Sequence, residues 1–334
     1  MSREIPVIDM APWFGSDRPA RDAIARHVDT ACMEWGFLIV RGHGIDPALR
    51  QAVRDVTYEF FDLTLEEKLR CEAAGRPGGR GYYRPESKSH ARTRGEADAP
   101  GDLRETFFAG MEPSAGDPYT TAPDAVRHFA PNAWPARPAR MQTVWEAYAK
   151  ACGALCREML HICAWALDLP ETWFDDKIDR PISTFAAQHY PKLERPPKPG
   201  QVRSGAHTDF GTLTLLMAED KPGGLQIMGK DGQWHDVKPV PGAYIVNLGD
   251  MMAQWTNDRW RSTLHRVVNP PLDAGATARR LSIVYFNTPN YDALIECIPS
   301  CTDAEHPPKY APVRAGDHLT EKLKQVDSVA RTAS

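Results

Sequence analysis

Beyond Pro181 the chain breaks into a regular series of short runs, "STFAAQHY", "RSGAHTD", "LTLLMA", "GLQIMGKDGQWHDV", "AYIVNLGD", "TLHRVVN" and "RLSIVYF", separated by turn residues. No other feature constrains the fold as much. Period-two alternation over such lengths marks half-buried strands, and many short strands at even spacing close into a sandwich or barrel rather than a parallel α/β sheet. Within "MGKDGQW", Asp231-Gly232 supplies a hairpin turn between two alternating runs.

The upstream half has a different texture. Residues 4–8, "EIPVI", and 37–41, "FLIVR", read as short strands on either side of "RDAIARHVDTACMEWG", whose apolar positions recur at helical spacing. A second amphipathic helix runs from Asp46 to about Phe61, and "TLEEKLR" follows with Thr64 and Glu67 at capping-box spacing. Residues 72–138 are rich in Gly, Pro and charge and read mostly as loop, the character of a lid, with "LRETFFAGM" as a short strand inside it. Residues 139–168 form the most persuasive helix; Cys152, Cys156 and Cys163 fall on its apolar stripe, so they read as core rather than metal ligands. The expected organisation is one domain over 1–334. It has a mostly helical part at 1–180 with the lid, a β core at 181–290 and a C-terminal extension at 291–334.

Composition narrows the class. In 334 residues, 40 basic and 44 acidic side chains are mixed along the chain, so no basic face for nucleic acid is expected. No segment approaches the roughly 18 apolar residues of a spanning helix, and "MSREIPVIDMAPWF" lacks the apolar core of a signal peptide. Seven cysteines without a CxxC pair fit reduced thiols. The expectation is a cytoplasmic protein with a small-molecule partner, engaging neither membrane nor nucleic acid; the sequence leaves oligomeric state open, with a monomer compatible.

One strand carries chemistry at its mouth. In "GAHTDFGTLTLL", His207 and Asp209 are separated by one residue, so both side chains leave the same strand face while Thr208 leaves the other. His265, in "STLHRVVNP", lies on a later apolar run and is a third candidate. Two imidazoles and a carboxylate on one side of a metal suit non-haem Fe(II), because the opposite positions stay open. A closed structural zinc site would favour thiolates, and no cysteine lies near either half of the motif. Further on, "RRLSIVYF" presents Arg280 and Ser282 on one strand face, a guanidinium and a hydroxyl able to grip a carboxylate.

These motifs, with "GGLQI", "WHDVKPVPGAYIVNLGDMM" and "RRLSIVYFNTPN", resemble the isopenicillin N synthase-like branch of the Fe(II)/2-oxoglutarate-dependent oxygenases. The N-terminal "IPVIDM", "WGFLIVRGHGI" and "FFDLTLEEK" are similar to the same family, so the likeness spans nearly the whole chain. The resemblance implies an α+β fold with a mainly β core, a double-stranded β-helix (jelly roll) flanked by N-terminal helices and a C-terminal helix. It implies His207, Asp209 and His265 as catalytic iron ligands, and Arg280 and Ser282 as holders of the distal carboxylate of 2-oxoglutarate. Tyr190 stands where the family has a tyrosine reaching that co-substrate. Gln188 replaces a frequent asparagine and Ala186 a frequent basic residue, while Gln188 keeps both a donor and an acceptor. With Fe(II), 2-oxoglutarate and O2, the implied reaction oxidises a C–H bond of a small molecule, releasing succinate and CO2. Hydroxylation is the leading outcome, with desaturation or cyclisation as competitors.

Other residues carry weaker expectations. Phe107, Tyr82, Phe210, Trp255 and Phe286 are candidates for the substrate wall, with Phe108 and Tyr83 beside them, and Arg80, Arg84 and Arg104 for an acidic substrate group. Asn247 and Asp250 read as turn and N-cap residues, His43 as a turn histidine, and His235 as a ligand only if the hairpin register differs. Two rival functions remain: an oxidase of the isopenicillin N synthase kind that uses no 2-oxoglutarate, and a jelly-roll protein that only binds.

Overall fold

The computed structural model describes residues 4–332 apart from 95, 97, 194, 220–223, 272 and 274–277. The chain opens with β1 (Val7–Asp9), α1 (Arg18–Glu34), β2 (Phe37–Arg41), α2 (Pro47–Phe61) and α3 (Leu65–Leu69). Strands β1 and β2 pair in parallel around α1, the β-α-β opening read from the pattern. Asp46 caps α2 through the Ala48 amide, and Thr64 and Glu67 close a capping box on α3. Each cap satisfies amides that the first helical turn leaves without partners.

The Gly- and Pro-rich stretch holds only brief elements: β3 (Gly81–Tyr83), α4 (His90–Thr93), β4 (Glu105–Gly110) and α5 (Pro118–Thr121). It leads into α6 (Met141–Ala166), whose stripe, Cys152, Cys156 and Cys163 included, is buried. The β core follows as β5 (Thr184–Tyr190), β6 (Ser204–His207), β7 (Leu213–Ala218), β8 (Leu225–Met228), β9 (Trp234–Asp236) and β10 (Tyr244–Leu248). Next come α7 (Asp250–Trp255), β11 (His265–Val267) and β12 (Arg280–Asn287), and the chain ends with β13 (Leu294–Ile295), β14 (Val313–Arg314) and α8 (Ala315–Thr332). Helix α7 begins at Asp250, where the sequence reads an N-cap, although "DMMAQW" is too short for periodicity to mark its extent.

The strands form an eight-stranded sheet in the order β1-β2-β10-β7-β12-β5-β4-β3 and a four-stranded sheet in the order β6-β11-β8-β9. From β5 to β12 the chain passes back and forth between the two sheets, with only the β8-β9 hairpin staying within one, the wiring of a jelly roll. The upstream strands β1, β2, β3 and β4 extend both edges of the larger sheet.

Alternation sorts side chains between two compartments. On β12, Leu281, Ile283 and Tyr285 point outward into the large core beneath α2 and α6. A second cluster, including Phe37, Ile39, Ile227 and Ile245, fills the space between the two sheets. Several positions on the inner face, Thr106, Phe108, Leu216, Ala218 and Phe286, are only half-buried, whereas their outward neighbours are sealed. The space between the sheets is therefore a packed floor with an open mouth.

Candidate metal and co-substrate centre

His207 ends β6 and His265 begins β11, directly opposite each other in an antiparallel pair. Their rings stand 4.3 Å apart. Asp209 follows two residues after His207, and the three side chains offer ligand atoms that all lie within 4.8 Å of one another. Each side chain has one polar atom tied to the protein and the other turned toward the common point. His207 Nδ1 lies 2.8 Å from the Gly205 carbonyl and His265 Nδ1 lies 3.0 Å from the Thr263 carbonyl. Those contacts place the proton on Nδ1 and leave each Nε2 with its lone pair, at 3.9 Å from Asp209 Oδ1 in both cases.

Asp209 is held in the same manner. The Thr214 hydroxyl donates to Oδ2 at 2.6 Å and the Asn247 amide donates to it at 2.7 Å, while Oδ1 faces the histidines. Burial, followed by the neighbouring imidazoles of His90 and His265, pushes the His207 ring well below its ordinary pKa. A neutral imidazole is the form a metal requires. Two nitrogen donors and one carboxylate, with no thiolate, fit Fe(II) with open coordination positions. Asn247 thus does more than the expected turn: it orients the carboxylate. Asp250, expected as an N-cap, is the first residue of α7 after the Gly249 cap. It accepts from Ser262 at 2.6 Å and Lys322 at 2.7 Å, and its amide donates to the Asp209 carbonyl.

Further inside the mouth, Arg280 stands opposite Tyr190 and Ser282 opposite Gln188 across β12 and β5. The four inward side chains form a two-by-two patch, all nearly buried. Thr106 on β4 stands beside Gln188 and donates to its carbonyl at 2.6 Å, which leaves the Gln188 NH2 to act as donor. Burial lowers the Arg280 pKa, as expected for a guanidinium taken out of water. Arg203, which sequence reasoning did not single out, lies against the same wall. It donates to the carbonyls of Pro191 and Ala278, with its guanidinium 5.4 Å from the Tyr190 ring.

The substrate-wall expectations divide. Phe210 and Phe286 are half-buried, Phe286 on the inner face and Phe210 next to Asp209 with Lys322 of α8 5.9 Å from its ring. Phe107, Tyr82 and Trp255 must be corrected. Phe107 points outward against Phe60 and Trp145, and Tyr82 packs on Phe60 and donates to Glu105 at 2.5 Å. Trp255 lies in α7 against Trp173 and Phe174. Their neighbours Phe108 and Tyr83 take the inner face. The loop arginines are also engaged: Arg84 pairs with Glu72, Arg80 is buried over the Phe108 ring, and Arg104 meets Asp102. His235 hydrogen-bonds Asp231, four residues away, and His43 meets the Gly242 carbonyl, so both have structural partners. A cavity lined by Gly153, Phe185 and Tyr285 lies on the outward face against α6, on the far side of the sheet from this cup.

A jelly roll with two imidazoles and a carboxylate converging between its sheets, above a buried arginine, defines an oxygen-activating class of protein. Comparison with known proteins agrees. Residues 5–137 match the family described as non-haem dioxygenase in morphine synthesis N-terminal, and residues 181–289 match the 2OG-Fe(II) oxygenase superfamily. A 2-oxoglutarate-Fe(II) type oxidoreductase of Emericella nidulans is 34% identical over 96% of this chain and 89% of its own. Homoarginine-6-hydroxylase of rice is 32% identical, over 96% and 97%. A full-length Neurospora crassa protein, solved in complex with alpha-KG and thymine, is 30% identical, with 98% of this chain and 97% of that one covered, and superposes with a TM-score of 0.81. The chain belongs to the 2-oxoglutarate/Fe(II)-dependent oxygenase superfamily, as the sequence motifs anticipated. It is accordingly a 2-oxoglutarate-dependent dioxygenase using Fe(II), 2-oxoglutarate and O2, and the oxidase alternative is not favoured. Among the described residues no helix is long and apolar enough to cross a membrane.

Proposed function

We propose that this dioxygenase oxidises an unactivated C–H bond of a small molecule, hydroxylation being the leading outcome, with His207, Asp209 and His265 as the iron ligands. The observation that carries the reading is the paired tethering of the triad: three donors, each with its second polar atom held by the protein, face one point. Bound Fe(II) would couple oxidative decarboxylation of 2-oxoglutarate by O2, giving succinate and CO2, to oxidation of the substrate. Arg280 and Ser282 grip the distal carboxylate of the co-substrate, and Gln188 and Tyr190 close the wall beside it. Phe286, Phe108 and Phe210 present apolar surface toward the mouth and exclude water from the reacting face. Stretch 72–138 acts as the lid that sets specificity. Hydroxylation is favoured because the rice relative carries a hydroxylase name, and a small substrate because the Neurospora relative holds thymine.

The test is a small-molecule panel read by succinate release under Fe(II), 2-oxoglutarate and O2, with product mass distinguishing a gain of one oxygen from a loss of two hydrogens. His207→Ala and Asp209→Ala should abolish turnover in folded protein. Substrate-dependent succinate release surviving in either variant would remove that residue from the iron site.

A further inference from the structure

The lid stretch reaches the metal strand at one place. Helix α4 sits directly on β6, so close that a β-carbon on Gly205 would lie 2.8 Å from the Ala91 amide nitrogen and 3.2 Å from His90 Cβ. At that contact the His90 imidazole lies flat on His207, ring centroids 3.9 Å apart and planes 6° from parallel. On the His90 side, Arg104 Nη2 is 3.0 Å from Nδ1 and 3.3 Å from Nε2. An in-plane hydrogen bond to one ring nitrogen would leave the other well out of reach. Nη2 therefore sits over the ring face rather than in its plane, consistent with arginine's affinity for π faces.

The same Nδ1 also meets Asp102, its Oδ2 3.0 Å away, and the Ser204 hydroxyl of β6 at 3.2 Å. Asp102 is almost fully buried and binds the metal strand as well, accepting from the Gly205 amide at 3.1 Å. The adjacent backbone continues the attachment: the Leu103 amide donates to the Val202 carbonyl at 3.0 Å and the Asp102 amide to the Lys88 carbonyl at 2.7 Å. Burial pushes the Asp102 carboxyl up, but the His90 hydrogen bond and the Arg104 charge outweigh it and leave the group below its usual range. A carboxylate here serves all three partners at once.

We propose that His90 is a positioning residue for His207: clamped by Asp102 and Arg104, it covers one face of the ligand ring and sets the plane in which Nε2 meets the metal. This rests on the reading of His207 as a ligand. A hydrogen bond to the Gly205 carbonyl fixes one atom of the His207 ring but leaves rotation about that contact; a parallel ring against its face removes it. Docking of the lid and order at the metal site thereby become one event, although His90 never touches the metal.

The test is Co(II) affinity of the metal-free protein, measured against a colorimetric competing chelator. Groups that orient a ligand without touching the metal contribute about 10- to 100-fold in affinity, so His90→Ala should weaken Co(II) binding by about tenfold or more. His90→Phe, which keeps a flat face but has no ring nitrogen, should recover most of that loss. If His90→Ala does not fold, judged by circular dichroism, His90→Leu takes its place, filling the volume without a π face. Wild-type affinity in the Ala or Leu variant, or an equal loss in the Phe variant, overturns the proposal. His207→Ala separates the two readings: if wild-type protein binds Co(II), His207→Ala does not and His90→Ala does, the ligand assignment stands and the positioning role falls.

Discussion

Replacing Arg280 with methionine tests the co-substrate pocket directly. Methionine keeps an apolar stem in the wall but removes the guanidinium of Arg280, a residue only 5% exposed that stands opposite Tyr190 across the strand pair. A hydrogen bond to a charged group contributes about 1.5–3 kcal/mol net, and a guanidinium gripping a carboxylate makes two. Taking the low end of each gives about 3 kcal/mol, or roughly 100-fold in affinity at about 1.4 kcal/mol per tenfold. The assay is an anaerobic titration of the Fe(II) protein with 2-oxoglutarate, followed by the visible absorption that develops as the oxo acid joins the metal. A second ligand, 2-oxopentanoate, keeps the C1 carboxylate and keto group but lacks the distal carboxylate. Wild type should prefer 2-oxoglutarate by about 100-fold, and Arg280→Met should bind the two nearly equally. Unchanged 2-oxoglutarate affinity in the variant refutes the pocket. An equal loss of both ligands would also refute it, because the damage would then not depend on the distal carboxylate.

Three further outcomes are expected. Asn247→Ala removes one of two donors to Asp209 Oδ2 and should weaken Co(II) binding about 10-fold or more; an unchanged chelator competition curve would deny it that role. Phe107→Ala should cost about 3–5 kcal/mol in urea unfolding as a buried core residue, whereas Phe108→Ala should change substrate KM with a smaller stability loss, and the reverse pattern would invert the assigned faces. Burial, aided by Arg127, lowers the His128 pKa to about 4. Between about pH 6.5 and 4 the unfolded chain therefore holds the extra proton, and this residue's contribution to stability falls as pH drops, by up to about 3 kcal/mol. His128→Gln should flatten that part of the stability–pH curve, and parallel curves would contradict it.

Much of the architecture was legible in the pattern of the chain. The strand series beyond Pro181, the Asp231-Gly232 hairpin, the extent of α2 and the capping box of α3 depend on local spacing, and local spacing survives folding. His207 and Asp209 do converge, but not by alternation along one strand: β6 ends at His207, and Asp209 lies two residues past it, held by Thr214 and Asn247. Their convergence with His265 was inferred by resemblance and is visible in the register that sets His207 opposite His265. Thr214 and Arg203 carried no signal and Asn247 read only as a turn residue, because a lone polar residue looks alike whether it holds a turn or a carboxylate. His90 was hidden more deeply, in a Gly-, Pro- and charge-rich stretch that reads as a lid without marking any one of its residues.

The aromatic pairs mark the boundary most clearly. Tyr82-Tyr83 and Phe107-Phe108 are adjacent residues of equal character, and the period of two dictates that one of each pair faces the core and the other the cup. Which one does so depends on the register of β3 and β4 against β5, where Phe107 meets Ala187 and Phe108 meets Ala186. A one-residue slip would exchange every face while leaving the local pattern unchanged. The sequence by itself determined a run of short strands suited to a sandwich or barrel and set Arg280 beside Ser282 on one strand face, because these follow from residue type and spacing, while the jelly roll and the donor set were read through the family resemblance. Tertiary structure alone decided what surrounds them, because the faces, the lid contact and the supports of Asp209 arise from pairing between segments far apart in the chain.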